Sequence, residues 1–581
     1  MTHAAPARIG NASGFYGDRL SAFREMLEGG PLDYVTGDYL AELTMLILGR
    51  DRMKDPNGGW AKTFMKQMKE CLAIAVSKKV RIVVNAGGLN PAGLAGALRS
   101  LASDLGVSAR VAHVEGDDLM GRAAALGLGS PLTANAYLGA WGIVECLRAG
   151  ADVVVTGRVT DASLVVGAAA AHFGWKRDDW DALAGAVAAG HVIECGPQAT
   201  GGNFAFFTEI DMGAPLGFPI AEIDADGSSV ITKHPGTGGA VTVDTVTAQL
   251  VYEIGGARYA GPDVTTRFDT IELASEGADR VRIRGAKGEP PPPTLKVCLN
   301  HLGGFRNDVT FVLVGLDVEA KARVVRAQLE AALAKRPSEL VWSLTRTDRE
   351  DADEEALASA MLRVIAKDRD ARVVGRDFSS AAVGLALASY PGFTLTSPPE
   401  DASPYGVYTA AFVDAKEVAH TAVLPDGARL VVDHPTTTRA LEPVPPPILA
   451  PFSETPEETV RAPLGLVLGA RSGDKGGMAN IGVWARTDDA FAWMAHALDV
   501  ATLRKLLPEA SGYPIERHVF PRLRAMNFVI DGLLGEGVSS GTRFDPQGKG
   551  LGEWLRSRHW EIPRSLAALA TKGALGPSKG R

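Results

Sequence analysis

The feature that most restricts how this chain can fold is a unit that recurs through its N-terminal part: a short apolar run, a turn of polar residues and glycines, then a helical stretch. It is clearest at residues 151–167, ADVVVTGRVTDASLVVG, where the run 153–155 yields to Thr156, Gly157 and Arg158 and a helix follows Thr160 and Asp161. The same order is read around Thr36-Gly37-Asp38, around Asn85-Ala86-Gly87-Gly88-Leu89-Asn90-Pro91 and around Glu115-Gly116-Asp117-Asp118. A further strand is expected at 191–194, before Cys195-Gly196. Such alternation predicts a parallel sheet with helices on both faces. Right-handed crossovers then bring all the turns to one edge, where ligands of open α/β sheets bind.

A chain of 581 residues exceeds what one core can organise, so several domains are expected. The predicted fold class is α/β: a mostly parallel doubly wound sheet at 1–220, a second α/β lobe at 221–441, and a small C-terminal α+β domain at 464–565. In the second lobe, strands are expected at 229–232, 240–246, 280–283 and 295–299, a strand–helix–strand unit at 308–344, and a helix at 354–365 behind the charge run 350–355. The proline-rich segment 442–463 reads as an extended linker, and the glycine-rich end, 566–581, as a disordered tail.

A formal charge of −8 argues against a nucleic-acid binder, which would show a basic face. The four cysteines, Cys71, Cys146, Cys195 and Cys298, form no CxxC pair, which suits a reducing compartment and offers no zinc framework. The N-terminus lacks a basic segment followed by an apolar run, and no apolar stretch reaches the roughly 18 residues that span a bilayer. A cytoplasmic protein with no membrane partner is expected.

Arg158 is the strongest candidate ligand contact, because nothing local requires a guanidinium there. Asp161 suits either a helix N-cap or a general base. Asn85, Gly87, Gly88 and Asn90 precede a helix whose N-terminus could hold a phosphate or carboxylate, although the turn is not GxGxxG. In ECGPQATGGNF, Glu194 is a second candidate base, while Thr200, Gly201, Gly202 and Asn203 offer hydrogen-bonding groups and close backbone approach. Cys195 would serve as a nucleophile only with a depressed pKa, and burial is the simpler reading. Arg471 and Lys475, in a glycine-rich loop, resemble an anion clamp. Glu115, Asp117 and Asp118 could accept Mg²⁺, with helix capping as the simpler reading; no metal ligand set is assigned. His234 and His301 each sit in a glycine turn, where one could act as a base near neutral pH.

Together these motifs resemble the acyclic terpene utilisation protein A family. The stretches that carry the resemblance are GNASGFYGDR (10–19), NAGGLNP (85–91), GADVVVTGRVTDASL (150–164), ECGPQATGGNF (194–204), HPGTGGAVT (234–242) and GGFR (303–306). RSGDKGGMANIGV (471–483) and NFVIDGLLGEGVSS (527–540) are similar to the ferredoxin-fold-like domain often fused to it. The resemblance implies a bacterial catabolic setting alongside acyl-CoA carboxylases and enoyl-CoA hydratases, and a lyase or hydratase step on a hydroxyacyl- or enoyl-CoA. It assigns no catalytic residue. The expected function is therefore a lyase or hydro-lyase of acyl-CoA catabolism, with Asp161 or Glu194 as base. Anionic groups would be held by Arg158, the Gly87-Gly88 turn and Arg471 or Lys475, and an enolate oxygen by the Gly201-Gly202 amides. Coenzyme A enters as part of the substrate, no cofactor is firmly implied, and Mg²⁺ remains possible. A homo-oligomer, able to associate with a carboxylase or hydratase, is expected. The alternatives are a non-catalytic acyl-CoA-binding or scaffolding subunit and a metal-dependent hydrolase built on Asp117 and Asp118.

Overall fold

The computed structural model describes residues 5–449 and 458–571. These fall into two compact units, one drawn from Met1–Asn300, Tyr408–Val538 and Gln547–Arg581, the other from His301–Val407 and Ser539–Pro546. In the first unit, β1 (Ala7–Asn11), β2 (Tyr34–Gly37), β3 (Arg81–Val84), β4 (Val111–Glu115) and β5 (Val153–Thr156) lie parallel in the order β1-β2-β3-β5-β4. The apolar runs of β3 and β5 are continuous because both faces are covered. Ile82, Val84, Val153 and Val155 pack on helices Lys62–Lys78 and Pro91–Asp104, whereas Val83 and Val154 pack on Ser163–Phe173 and Trp180–Ile193.

The sheet does not stop where a domain boundary was expected. Strand β6 (Pro219–Ile223) joins the free side of β1 antiparallel and β7 (Ser229–Lys233) pairs antiparallel with β6, so position 220 lies inside one sheet of eleven strands. Three expected elements also change type. The strand at 191–194 is the last turn of helix Trp180–Ile193, whose alanine-rich run is buried from Leu183 onward and gives up little side-chain entropy as a helix. At 240–246 a helix, Val243–Leu250, is started by a reciprocal capping box between Thr242 and Thr245. The helix expected at 354–365 is a short 3-10 turn followed by strand Ser359–Asp368, because Ala360, Leu362, Val364 and Ala366 alternate onto one buried face.

That strand belongs to the second unit, where it lies between Glu339–Thr345 and residues 305–314. Phe311, Leu362 and Val364 pack there with Val325 and Leu329 of helix Val318–Ala332.

The C-terminal part of the first unit is a four-stranded antiparallel sheet in the order Leu468–Lys475, Met478–Ala485, Ala525–Ile530, Ile515–Phe520, with helices including Asp488–Ala497 and Leu551–Ser557. The expected linker ends in strand Thr459–Pro463, paired with His559–Pro563, and its residues 450–457 lie outside the described ones. Arg564–Thr571 is helical where a tail was expected, and residues 572–581 lie outside the described ones.

The turns after β3 and β5 are locked together. Gly87 N–H donates to Thr156 O at 3.0 Å, and a Cβ on Gly87 would come within 2.5 Å of that oxygen. A Gly87→Ala substitution should therefore lower stability by about 1–3 kcal/mol through overpacking against backbone. Urea unfolding measures this, and an unchanged midpoint would contradict the close approach.

Candidate functional site

Arg158 leaves the end of β5 and is 3% exposed. Its backbone N–H donates to Asp117 Oδ2 at 2.8 Å, a carboxylate that also accepts from Asn135 Nδ2 at 2.8 Å. Gly157 is required beside it, since a Cβ there would lie 2.4 Å from Asp117 Oδ1. Through Nη1 the guanidinium donates to Leu40 O and to Asp161 Oδ1, each at 2.8 Å, and it lies 4.3 Å from the centroid of the Tyr137 ring. Tyr137 in turn donates to Glu42 Oε1 at 3.1 Å, and Lys296 Nζ is 3.7 Å from the same oxygen. Asp161 does not cap the following helix: Ala162 occupies the N-cap position without a side-chain bond, and the Asp161 carboxylate turns to Arg158.

Two more carboxylates meet it. Asp38 follows β2, and one carboxylate oxygen each of Asp38, Asp161 and Glu194 lies within 4.8 Å of the others. Asn85, at the end of β3, donates Nδ2 to Asp38 Oδ1 at 2.6 Å and accepts the Tyr39 N–H at 2.7 Å. Glu194 arrives from the end of helix Trp180–Ile193, where Asn11 Nδ2 at the end of β1 donates to Ile193 O at 2.7 Å and Glu194 O at 2.9 Å. Burial, then the charge of Asp161, pushes the Asp38 carboxyl up to about 8. Burial, followed by Asp161 and Asp38, raises Glu194 well above the usual carboxylate range. His191 Nε2 donates to Tyr252 O at 3.0 Å, and burial lowers the ring to about 4.

Of the expected site residues, Arg158, Asp161, Glu194 and Asn85 come together. The others have structural work. Gly87 N–H is taken by Thr156 O and Gly88 N–H by Asn85 O, so the turn has neither of these amides left for a phosphate. Asn90 caps helix Pro91–Asp104 by accepting from Gly93 N. Gly201 and Gly202 N–H donate to Gln198 O and Pro197 O, and the single Thr200 hydroxyl proton lies between Gly217 O at 2.7 Å and Pro197 O at 2.9 Å. The enolate-binding amides expected there are thus consumed by the 3-10 turn they close. Asn203 adopts φ 55°, and its carbonyl faces Arg471 Nη1 at 3.5 Å.

Arg471 and Lys475 stand in a strand, with Gly476-Gly477 as the hairpin turn, not in a loop. Arg471 braces the 3-10 turn through Gln198 Oε1 at 2.6 Å and stacks 4.3 Å from the Tyr252 ring. Lys475 Nζ donates to Glu253 O at 2.6 Å, and burial lowers its pKa.

The Mg²⁺ set imagined at Glu115, Asp117 and Asp118 is dispersed: Glu115 pairs with His113 and Arg429, Asp117 is inside, and Asp118 meets Arg52 at 2.8 Å. Burial pushes the Cys195 thiol up, the opposite of what a nucleophile needs. His234 is buried and bonds Met26 O at 3.0 Å. Sequence reasoning missed Asn11 as a site residue, although it ends β1 just as Asn85 ends β3. It also missed Tyr137, Glu42 and Lys296, for which no local pattern exists.

A doubly wound α/β protein in which an arginine and two carboxylates at the strand ends meet a third carboxylate from a helix end is the class these features define. The chain belongs to the acyclic terpene utilisation family: the model for "Acyclic terpene utilisation family protein AtuA" matches residues 7–424, and the AtuA ferredoxin-like domain matches residues 462–561. No curated protein and no solved structure matches the chain. Among the described residues, no helix is long and apolar enough to cross a membrane.

Burial pushes Asp117 up to about 7 from 3.8. The unfolded chain therefore releases this proton first, and the contribution of Asp117 to stability falls as pH rises through that window. In Asp117→Asn, which keeps an oxygen for Arg158 N–H, the gain in stability over the parent should grow by more than about 1 kcal/mol from pH 4 to pH 7. Thermal unfolding at both pH values tests this, and a pH-independent difference would contradict it.

Proposed function

We propose that the chain is an enzyme of acyl-CoA catabolism, a lyase or hydratase/dehydratase acting on a branched or terpenoid hydroxyacyl- or enoyl-CoA. The observation that carries this reading is the Arg158–Asp161 pair at the end of β5, a carboxylate held in place by a buried guanidinium at the ligand-binding edge of an α/β sheet. Family membership supports acyclic terpenoid carbon as the source of the acyl group. Between the two candidate bases, the side chain of Asp161 is 28% exposed and that of Glu194 only 7%, which favours Asp161 as the group a substrate reaches.

In the lyase direction, Asp161 takes the proton of the 3-hydroxyl. The C2–C3 bond breaks, C3–O becomes a carbonyl, and the electron pair passes to the thioester as an enolate that is then protonated at C2. In the hydro-lyase direction Asp161 takes the C2 proton and returns it to the C3 hydroxyl, so that the C3–O bond breaks, water departs and the C2–C3 double bond forms. Cytoplasmic location, self-association and association with a carboxylase or hydratase belong to the same proposal.

Purified protein offered a panel of branched hydroxyacyl- and enoyl-CoA esters should turn one of them over, and Asp161→Asn, which keeps an oxygen for Arg158 Nη1, should reduce kcat by about a hundredfold or more while the chain stays folded. Full activity in that variant removes Asp161 from the mechanism. Binding of esters without turnover by the parent protein, unless a partner is added, replaces the proposal with a non-catalytic acyl-CoA-binding subunit.

A further inference from the structure

We propose that Asp38 and Glu194 hold a hard divalent cation, Mg²⁺ or Mn²⁺, with Asp161 accepting a hydrogen bond from a water on that cation. The three carboxylates supply oxygens within 4.8 Å of one another. Asp38 Oδ1 accepts from Leu40 N and Asn85 Nδ2, and Asp161 Oδ1 accepts from Arg158, whereas the Glu194 carboxylate accepts no hydrogen bond among the described residues, its Oε1 lying 3.6 Å from His191 Nδ1. The second oxygens of Asp38 and Asp161 make no hydrogen bond among the described residues.

An independent observation points the same way. Glu194 Oε2 is buried with no hydrogen-bond partner, on a side chain that is only 7% exposed. An orphaned buried carboxylate oxygen requires an explanation, and an ion is one of the few available. Its neighbour cannot supply the charge. His191 Nε2 must donate to the Tyr252 carbonyl, so Nδ1 of the neutral ring presents a lone pair to Glu194, and Nδ1 is itself unpartnered.

The charges leave a matching gap. Arg158 pairs with Asp161, Lys296 with Glu42 and Lys549 with Glu253, and among the described residues no lysine or arginine forms an ion pair with Asp38 or Glu194. All donors are carboxylate oxygens, the preference of hard cations, and Mg²⁺ commonly keeps several waters while bound by one or two carboxylates. Oxygens sharing an inner shell sit about 3 Å apart, and a water-bridged carboxylate stands about 4–5 Å from the ion, so the observed spread admits two direct ligands and one bridged. Asp161 then stays free of the metal.

This inference concerns binding and stands whether or not the chain turns over a thioester. Its test uses the full chain stripped with EDTA and titrated with Mn²⁺ while the electron paramagnetic resonance of free Mn²⁺ is followed. One Mn²⁺ per chain, displaced by Mg²⁺, is expected. Asp38→Asn and Glu194→Gln should each weaken binding by about tenfold or more, while Asp118→Asn, whose carboxylate lies in the ion pair with Arg52, should bind as the parent does. The melting temperature of the unmodified chain should also rise with Mn²⁺ concentration, a reading that needs no variant to fold. Absence of a stoichiometric site in the unmodified chain, or undiminished binding in a folded Asp38→Asn or Glu194→Gln variant, overturns the proposal.

Discussion

A guanidinium that is 3% exposed is the constraint on which the rest of this site depends. Removing a cation from water costs several kcal/mol unless partners replace the hydration shell. Arg158 finds them in Leu40 O from the turn after β2, in Asp161 three residues ahead, and in the face of Tyr137. Its own N–H fixes Asp117, which ties the turn to Asn135. Partnering this one buried charge, whose Nε makes no hydrogen bond, draws separate segments to a single point, and the carboxylates Asp38 and Glu194 are carried there with them.

The glycine-rich turns divide the labour differently from what their composition suggests. Gly87, Gly157 and Gly201 are places where another group comes too close for a Cβ: Thr156 O at 2.5 Å, Asp117 Oδ1 at 2.4 Å and Ile210 Cδ1 at 2.8 Å. The amides of Gly87, Gly88, Gly201 and Gly202 close internal hydrogen bonds. Ligand chemistry is left to side chains, chiefly carboxylates, with Asn85 and Asn11 holding them in position. The carboxylates gathered there, rather than the amides of those turns, are the groups left to meet a ligand.

The parallel sheet was legible because apolar runs such as 153–155 and the turns after them are local signals. So was the convergence of Asp38, Asn85 and Arg158, which follows from strand ends sharing one edge. Segments buried on all sides defeated the same reasoning. Residues 180–193 present no polar face, so periodicity cannot separate a buried helix from a buried strand. At 359–368 the adjoining charges suggested a solvated helix, while the alternating burial that makes a strand exists only once β-pairing with residues 305–314 has formed. Glu194 was identified by its motif but placed on the wrong element. Tyr137 and Lys296 reach the site through tertiary packing alone.

The central claim is that the edge of the sheet at Arg158 and Asp161 is where the acyl group is handled. A crystal structure of the full chain with a non-hydrolysable acyl-CoA thioether tests it most directly. The account predicts the atoms that replace the thioester beside the Asp161 carboxylate, within about 4 Å, a contact distance for reacting groups. An analogue seated with its acyl end away from that turn, leaving Arg158 and Asp161 untouched, would contradict it.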